Sequence, residues 1–218
     1  MKLSNRTVEL LKNFGTINTG MLFLPGNEIR TISIAKNGFA KATIDEEIPQ
    51  RFAIYSLPEF LSVLSLLKDA EITLHDNHMV IQSGKQKVKY YYAAENLIVS
   101  PPEGKNINLP SVDVTLTLTA DVLAQIEKMA AIMKFDVISI SKSGVKAFDS
   151  ASSKNSSTTN MIDIEVAVDT TSDKEFRIKI DNLKMLPGDY NVEIAEAGIT
   201  QFTNCADGSL IYNIPLEK

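Results

Sequence analysis

The chain repeats one sequence pattern at an offset of 115 residues. In each half a leucine and a hydroxyl residue, Leu3-Ser4 and Leu118-Thr119, precede a run whose apolar residues have helical spacing. The apolar positions are Val8, Leu11, Phe14 and Ile17 in the first run and Leu123, Ile126, Met129 and Ile132 in the second. Short strand-like segments follow both runs. A repeat of about half the chain predicts two similar domains.

The composition is that of an ordinary globular protein. With 218 residues, 44% of them hydrophobic, the chain is long enough for one large domain or two small ones. The sequence turns polar directly after Met1, and no run approaches the ~20 apolar residues of a membrane span. Cys205 is the only cysteine, which excludes an intrachain disulfide. We therefore expect a cytoplasmic protein without a membrane partner.

The first half, residues 1–95, is predicted to be one domain. Ser4 is placed to cap a first helix. Turn residues such as Lys36-Asn37-Gly38 separate the short antiparallel strands that follow. Ser56 and Glu59 form a capping-box pattern for a second, unusually apolar helix, and three more strands complete the half.

A linker is predicted at 96–112, where the periodicity fails and prolines accumulate. The second domain, 113–218, repeats the order of strand, helix, strands, helix and strands. Its second helix is shortened to 181–186, and one of its strands is predicted to run over 161–168. The stretch 150–159 is nearly all Ser, Thr, Asn and Lys, which predicts a mobile loop in solvent.

His75 and His78 flank Asp76-Asn77 in a predicted hairpin turn. Two imidazoles and a carboxylate are metal-ligand types, but a fourth ligand is missing, which favours a polar turn. The chain has no nucleophile elbow, phosphate-binding glycine loop or zinc-ligand spacing. We therefore expect no enzyme activity, no cofactor and no metal. A small hydrolase that uses one of the histidines is the alternative.

A net charge of −5 means that DNA binding would need positive charge gathered on one face. On the predicted helices, Arg6, Lys12 and Lys128 lie away from the apolar stripes. Further lysines at or near helix ends are Lys2, Lys68, Lys134 and Lys184. Helices on one side of two joined sheets would bring these cations to a common surface. The alternative is that each cation is an ordinary solvated residue with acidic neighbours.

Several groups of residues keep an order and spacing found in a known family. They are Met1-Lys2-Leu3-Ser4, Leu10-Leu11-Lys12-Asn13-Phe14 with Thr16-Ile17-Asn18, Ala53-Ile54-Tyr55, Phe60-Leu61 with Leu64-Ser65-Leu66, and Met185, Pro187-Gly188 and Tyr190. The chain resembles the DNA polymerase sliding clamps, and among them the processivity factors of T-even-type bacteriophages. In weaker form the resemblance extends over the whole chain.

The resemblance implies an α+β fold with two similar clamp domains, antiparallel sheets outside and helices on the inner face. Such clamps are rings of six similar domains, so two domains in a subunit imply a homotrimer. A head-to-tail contact closes the ring, and each subunit therefore presents two different edges. The strands predicted to meet contain Tyr90, Tyr91 and Tyr92 on one side and Met161, Ile162 and Ile164 on the other. The alternative is that both are ordinary internal strands.

The resemblance also implies a function. The ring would encircle double-stranded DNA without sequence preference and tether the replicative DNA polymerase for processive synthesis. The residues predicted to face DNA are Lys2, Arg6, Lys12, Lys68, Lys128, Lys134 and Lys184. In the family a separate ATP-driven clamp loader opens the ring, so no catalysis by the chain itself is required.

Partner binding is the second implied activity. Family clamps receive short peptides, often the C-terminal tails of polymerases, in an apolar pocket between the two domains. The predicted lining is Leu97, Ile98, Val99, Pro101, Ile214 and Leu216. In phage relatives the same pocket serves the loader and sigma-like late-transcription factors, which implies a role as a late-transcription coactivator.

Two alternatives to the sliding-clamp interpretation stay open, one for the predicted lining residues and one for the strand edges. The apolar residues at 97–101 and near the C-terminus would, in the plainer alternative, only seal the junction between domains. A β-rich phage structural or assembly protein would associate through strand edges and have no DNA role. The alternatives differ in the expected distribution of positive charge over the surface, because only a clamp needs its basic residues gathered on helices that face one cavity.

Overall fold

The computed structural model describes residues 1–151 and 160–217. The chain divides into two compact units, Met1–Lys105 and Asn106–Lys218. The boundary between the units falls within 96–112, and the assignment of that whole segment as a linker stays a prediction. Most of the polar stretch 150–159, which the sequence predicts to be a mobile loop, lies outside the described residues.

The first unit combines helices with short antiparallel strands. Its elements are α1 Asn5–Ile17, β1 Met21–Phe23, β2 Gly26–Ile32, β3 Phe39–Ile48, β4 Phe52–Ile54, α2 Leu57–Leu66, β5 Glu71–Leu74, β6 His78–Ser83 and β7 Gln86–Tyr91. Strand β1 pairs with β4, and β2 pairs with β3. Strands β5, β6 and β7 form a three-stranded meander. A 3₁₀ helix at Glu95–Leu97 follows the meander.

The second unit combines the α-helix α3 with a larger number of strands. Its elements are β8 Val114–Leu118, α3 Ala120–Met133, β9 Val137–Ser141, β10 Gly144–Phe148, β11 Met161–Ile164, β12 Val168–Thr170, β13 Phe176–Lys179, β14 Tyr190–Ala195, β15 Ile199–Asn204 and β16 Ile211–Pro215. One set of strands has the order β11-β10-β9-β13, and another has the order β12-β8-β14-β15-β16. All these pairs are antiparallel.

The predicted repeat is present in both the caps and the strand pairing. The hydroxyls of Ser4 and Thr119 accept hydrogen bonds from the N–H groups of Thr7 and Val122, so α1 and α3 begin at equivalent positions. Strand pairs β1–β4 and β2–β3 in the first unit correspond in order to β9–β13 and β10–β11 in the second. The two units are therefore similar folds, as the sequence predicts.

The last turn of α3 differs from the prediction. The helix buries Leu123, Ile126 and Ala130, whereas Ile132, which the sequence pattern places on the apolar stripe, is 72% exposed. Lys134 adopts a left-handed conformation with φ 57° and ends the helix. The following residue, Phe135, is buried and donates its N–H to the carbonyl of Ala130. A residue beyond the helix thus covers the core in place of Ile132.

The single strand predicted over 161–168 is two strands that pair with different partners. Strand β11 pairs with β10 as far as Ile164 opposite Val145, and β12 pairs with β8. At Gly144, with φ +117°, a Cβ would stand 2.6 Å from the carbonyl oxygen of Ile164. The close backbone approach at this glycine marks the place where β11 leaves its partner.

The second helix of this unit is also shorter than predicted. A 3₁₀ helix at Ile180–Asn182 replaces the helical turn expected over 181–186. Two tyrosine side chains hydrogen-bond the backbone of Leu186. Its N–H donates to the Tyr212 hydroxyl, and its carbonyl accepts from the Tyr190 hydroxyl. Both tyrosines are fully buried, so the segment is fixed by the core rather than by a helix.

Candidate nucleic-acid interface and open strand edges

Three of the predicted DNA-facing lysines line one groove in the first unit. The groove runs between α1 and α2, where apolar residues such as Val8 and Leu61 form its floor and Lys2, Lys12 and Lys68 stand at its sides. All three lysines are exposed. Lys12 lies opposite the buried face of α1 because that face is formed by Thr7, Leu10, Leu11 and Phe14. The groove therefore presents a local concentration of positive charge.

Lys2 is partly neutralised within this groove. Its Nζ lies 2.5 Å from a carboxylate oxygen of Asp69, and the two side chains are 58% and 84% exposed. The hydrogen bond from Lys2 lowers the pKa of the Asp69 carboxyl. An ion pair this exposed contributes little to stability, so its lysine can exchange the carboxylate for another anion at small cost.

Arg6 has a different position from the three lysines. It is half-buried on the flank of α1, and its Nη1 donates a 2.7 Å hydrogen bond to the carbonyl of Thr43 in β3. Nearby, Glu46 of the same strand accepts hydrogen bonds from the Ser4 N–H and the Thr7 hydroxyl. These bonds fasten the start of the helix to the sheet, where a carboxylate also interacts favourably with the helix dipole.

The second unit has fewer cations on its helix. Lys128 is exposed on the side of α3 opposite Leu123, Ile126 and Ala130, and Lys134 is exposed at the helix end. Lys184 is exposed outside any helix, shortly after the 3₁₀ turn. The exposed side of α3 also carries Asp121. These three cations of the second unit lie at separate places, whereas Lys2, Lys12 and Lys68 of the first unit line one groove.

Strand β7 is an open edge of its meander. At the other side of the meander, the N-terminal ammonium of Met1 donates to the Ile72 carbonyl, and the Ile72 N–H donates to the Met1 carbonyl. That exchange occupies the outer edge of β5. Among the described residues no strand pairs with the outer edge of β7. Unpaired N–H and C=O groups of this kind are a template for pairing with another chain.

Strand β11 is an open edge in the second unit. It pairs only with β10 within the described part of the chain. At the opposite edge of these four strands, the Glu217 N–H donates 2.8 Å to the Arg177 carbonyl of β13. In the β5–β7 meander and in the set β11-β10-β9-β13, one edge is thus occupied near a chain terminus and the other is unpaired, as far as residues 1–151 and 160–217 show.

The three predicted interface tyrosines have separate roles. Tyr90 packs edge-on against Phe60 with 5.7 Å between ring centroids, and Tyr92 stacks on Phe52 at 5.1 Å. Tyr91 points outward with 61% of its surface exposed, and the Lys89 ammonium lies 5.0 Å from its ring centroid. Lys87 and Lys89 share the exposed side of the strand with Tyr91, because alternate residues lie on one face.

The three interface residues of β11 also alternate. Met161 is 53% exposed, whereas Ile162 and Ile164 are half-buried. Asp163 and Glu165 follow Met161 on the exposed side, and Asp163 lies 3.2 Å from Lys146. The exposed side of β11 is therefore acidic and that of β7 is basic.

The residues predicted to line a peptide pocket are distributed over both units. In the first unit, Leu97 is 61% exposed and Val99 37% exposed, Pro101 is half-buried, and Ile98 is buried. In the second unit, Ile214 is buried, and Leu216 is half-buried with its N–H bonded to the Gly198 carbonyl. The exposed apolar surface at 97–99 is therefore the part of the predicted lining that is accessible.

Comparison with known proteins gives the family. Residues 2–100 match the family described as DNA polymerase processivity factor. The chain is 32% identical over 209 residues to the sliding clamp of Vibrio phage KVP40, with 93% of this chain and 94% of that protein covered. It is 32% identical to the clamp of Escherichia phage RB69, covering 100% and 97% of the two chains. The chain belongs to the sliding-clamp family.

Solved structures support the fold of this clamp. It superposes on a chain of the PCNA2–PCNA3 complex from Sulfolobus tokodaii with a TM-score of 0.63 at 12% identity, covering 96% of this chain and 95% of that one. It also superposes on the Helicobacter pylori beta clamp bound to a DNA ligase peptide, with a TM-score of 0.61 at 12% identity, covering 99% and 66%. The α+β fold with two clamp domains is confirmed.

The structure of this clamp contains one polar cluster that sequence reasoning missed. Arg51, at the turn between β3 and β4, bonds both carboxylate oxygens of Glu95, with Nε–O 2.7 Å and Nη2–O 2.6 Å. Its Nη1 lies 2.7 Å from a carboxylate oxygen of Glu103. The hydrogen bonds from Arg51 to Glu95 lower the pKa of the Glu95 carboxyl. No local pattern joins charges that lie 44 and 52 residues apart, so the sequence contains no signal for them.

His75 and His78 of this clamp form a stacked pair with 4.6 Å between ring centroids. Desolvation and the nearby Lys89 ammonium lower the pKa of His78. Within residues 1–151 and 160–217, no group of three or more His, Cys, Asp or Glu is arranged to hold a metal ion. Across the same residues, none of the helices has the length and apolar character needed to span a membrane.

Proposed function

We propose that this clamp closes into a homotrimeric ring around double-stranded DNA and tethers the replicative DNA polymerase, without a catalytic step of its own. Among the described residues, strands β2 and β12 also pair on one side only, so the observation that carries the proposal is the charge on two open edges, with β7 basic in one unit and β11 acidic in the other. A contact between two different edges is head-to-tail. Repeated contacts of this type form a ring when the rotation between subunits closes.

The side chains on the two edges support an antiparallel contact in one register. When Tyr91 of one copy faces Met161 of the next, Lys89 faces Asp163 and Lys87 faces Glu165. Both charged pairs are then complementary, and an aromatic ring meets a thioether. In the parallel arrangement with Lys87 opposite Met161, only the central pair is complementary. A parallel register with Lys87 opposite Asp163 would keep two charged pairs but would place Met161 against Lys85, so the apolar pair together with the charges favours the antiparallel arrangement.

A shift of the antiparallel strands by two residues would keep two charged pairs but lose the apolar one. Lys85 would then face Glu165 and Lys87 would face Asp163, while Met161 would face Lys89. That register places an ammonium against an apolar side chain and leaves Tyr91 without this partner. The first register is favoured because it matches both exposed positions of β11, Met161 and Asp163, and also Glu165 directly after the strand.

The groove lysines support DNA contact from the helical side of the first unit. Three copies of the chain carry a net charge of −15, three times the −5 of one chain, so general attraction to DNA is not expected. Lys2, Lys12 and Lys68 would supply local positive charge, and Lys128 and Lys134 would add to it from the second unit. A closed ring needs only weak contacts, because its linkage to DNA is topological and its tethered partner rebinds from high effective concentration.

Partner binding is proposed at the exposed apolar residues Leu97 and Val99. A related clamp fold has been solved with a DNA ligase peptide, which supports a short peptide as the occupant. We propose that the peptide is the apolar C-terminal tail of the replicative polymerase, and that the clamp loader and a sigma-like late-transcription factor use the same surface. Leu97 ends the 3₁₀ helix and Ile98 is extended, so the exposed Leu97 and Val99 flank a buried residue, and this alternation suits peptide binding through alternate pockets.

Primer extension on a long primed template tests the proposal. The reaction contains the replicative polymerase of the same genome and its clamp loader with ATP, with and without the clamp, and a DNA trap limits synthesis to one binding event. We expect longer products with the clamp. Unchanged product length would refute the tethering function. Native mass spectrometry of the clamp at micromolar concentration tests the trimer separately.

Two variants make the test specific for ring closure. Lys87→Glu with Lys89→Glu places like charges opposite Asp163 and Glu165, and we expect loss of both the trimer and the long products. Lys36→Glu with Lys85→Glu is the charge-matched control, because both lysines are exposed in turns outside the proposed contact. If the double variant still forms trimers and supports long products, the proposed contact between β7 and β11 is wrong.

A further inference from the structure

The segment after β7 is tied to the first unit at both of its ends by one guanidinium. Arg51 forms a two-pronged contact with Glu95 and a third hydrogen bond with Glu103. The Arg51, Glu95 and Glu103 side chains are 39%, 45% and 53% exposed. Bidentate arginine–carboxylate pairs fix direction as well as distance, which a single exposed ion pair does not. We call these three residues the Arg51 clasp.

Between Glu95 and Glu103, the backbone is also held by hydrogen bonds and by one buried side chain. Glu95 also begins the 3₁₀ helix, and its carbonyl accepts the N–H of Ile98. The buried Ile98 side chain packs against Gly20, where its Cδ1 would lie only 3.0 Å from an added Cβ. The Asn18 amide donates to the carbonyls of Val99 and Ile32, each at 2.9 Å. The segment is thus held in one orientation at 98–99.

This anchoring sets which side chains face solvent. Because Ile98 points inward and is extended, with φ −105° and ψ 123°, its neighbours Leu97 and Val99 point outward. Exposed apolar side chains are the part of this segment available to a partner. A peptide that binds them gains most when they are already fixed, because ordering a loop on binding lowers affinity.

We propose that Arg51 is a positioning residue for partner binding, which holds Leu97 and Val99 in the conformation that an apolar peptide recognises. The inference rests on the proposed function, since it assumes that the polymerase tail binds at these two residues. Arg51 itself need not touch the peptide. Its contribution is to keep the segment 95–103 closed at both ends, so that the exposed pair is presented in one arrangement.

The test compares Arg51→Gln, Arg51→Lys and wild type by two measurements. Amide hydrogen exchange at 97–99 reports the local order of the segment. Isothermal titration with a synthetic peptide of the last 20 or so residues of the same genome's polymerase reports binding. We expect exchange at 97–99 to rise and peptide affinity to fall by about tenfold in Arg51→Gln, with little change in the unfolding midpoint. Arg51→Lys should lie between, because an ammonium cannot form the bidentate contact.

Arg177→Gln is the matched control. It removes an arginine that is 41% exposed and ion-paired to Glu175 in the second unit, and it should change neither measurement. A charge reversal, Arg51→Glu with Glu95→Arg, should restore part of the affinity that Arg51→Gln removes. High salt should reduce the affinity of wild type toward that of Arg51→Gln, because it screens the exposed ion pairs.

The outcomes separate the two proposals. If wild type binds the peptide and Arg51→Gln binds it equally well, the positioning role is refuted while peptide binding stands. If exchange at 97–99 is the same in both proteins, the clasp does not order the segment and the role is refuted as well. A wild-type protein that binds no peptide would refute the partner site itself, and with it the role of Arg51, whatever the exchange data show.

Discussion

Met1 and Ile72 exchange two backbone hydrogen bonds, each 2.7 Å long. In the second unit, β8 pairs with β14 at the corresponding place in the order of elements. Met1 therefore occupies, with a single residue, the edge that a full strand occupies in the other unit. This leaves β7 as the edge of the meander without a partner among the described residues. The proposed ring contact follows from that asymmetry.

The register of the proposed contact can be tested by disulfide formation. In a Cys205→Ser background, Tyr91→Cys with Met161→Cys should cross-link neighbouring subunits under oxidation, because facing residues of an antiparallel pair have Cβ atoms roughly 4.5–5.5 Å apart. The background substitution is needed because Cys205 is exposed. Denaturing gel electrophoresis should then show dimers and trimers.

Lys89→Cys with Met161→Cys is the control for this register. The favoured register places these two residues diagonally, roughly 7–8 Å apart, which is too far for an unstrained disulfide. Stronger cross-linking of the control than of the Tyr91 pair would show that the strands are shifted by two residues. The absence of cross-links in both would argue against contact between β7 and β11.

The cap residues and turn residues of this chain could be predicted from sequence because their energetics are local. Ser4 and Thr119 cap helices whatever the rest of the chain does, since the bond closes over three residues. The division of 161–168 into β11 and β12 could not be predicted in this way. It depends on the approach of Gly144 to Ile164, and periodicity contains no information about that distance.

DNA association is predicted to depend on the groove lysines of the first unit. Lys12→Glu with Lys68→Glu should leave the trimer intact, because neither residue lies on β7 or β11. Loading and processive synthesis should fall, and the log–log dependence of DNA binding on salt should become shallower by about one unit for each phosphate that is no longer bound by a lysine. Primer extension with the loader measures the first effect, and equilibrium binding of the clamp to a short open-ended duplex over a range of salt measures the second.

Lys36→Glu with Lys105→Glu is the charge-matched control for the groove variant. Both lysines are exposed in the first unit and do not line the groove between α1 and α2. The control changes the net charge by the same amount. If the position of the lysines rather than the net charge determines DNA binding, the control should bind DNA like wild type. Equal losses in the two double variants would refute the assignment of the groove as a DNA-facing surface.

Asp113 is predicted to make stability depend on pH. Its carboxylate accepts hydrogen bonds from the Ser111 hydroxyl at 2.6 Å and from the Glu196 N–H at 2.8 Å, and the Ser111 bond is the main cause of its lowered pKa. A pKa lowered in the folded state means that this stabilisation is present above the unfolded value of about 3.9 and disappears as pH falls through the folded value.

Urea unfolding of wild type and Asp113→Asn should show this dependence. We expect Asp113→Asn to be less stable than wild type between pH 5 and pH 8 by a roughly constant amount, and the difference to shrink below about pH 4. Asp169→Asn, on the exposed side of β12, is the control for loss of a carboxylate elsewhere in the same set of strands. A difference that grows on acidification would contradict the assigned direction of the pKa shift.

The helix cations show where sequence reasoning about a site stops. Arg6 and Lys12 look alike in the sequence, since both lie away from the apolar residues of α1. In the fold, Arg6 donates to the Thr43 carbonyl while Lys12 lines an open groove. Helical periodicity assigns a side chain to a face, but the neighbouring strand decides whether a residue on the flank meets solvent or a carbonyl.

Gly144 is predicted to control the open edge of β11 through its close approach to Ile164. Gly144→Ala should cost more than the strain of a positive φ alone, because the new Cβ would stand 2.6 Å from the Ile164 carbonyl oxygen and 3.2 Å from the Val166 N. We expect a loss of about 2–4 kcal/mol in the free energy of unfolding. Displacement of β11 should also weaken trimer formation, because the proposed contact uses this strand.

Gly26→Ala isolates the clash from the backbone strain. Gly26 has nearly the same φ, +116° against +117°, but nothing lies within 4 Å of its added Cβ. Its loss of stability should be about 1 kcal/mol, and its trimer should form as in wild type. Urea unfolding and native mass spectrometry of the two variants give the comparison. If Gly144→Ala and Gly26→Ala lose the same free energy of unfolding, β11 moves away from the new Cβ without cost. If Gly144→Ala loses more stability but still forms the trimer like wild type, the subunit contact lies elsewhere.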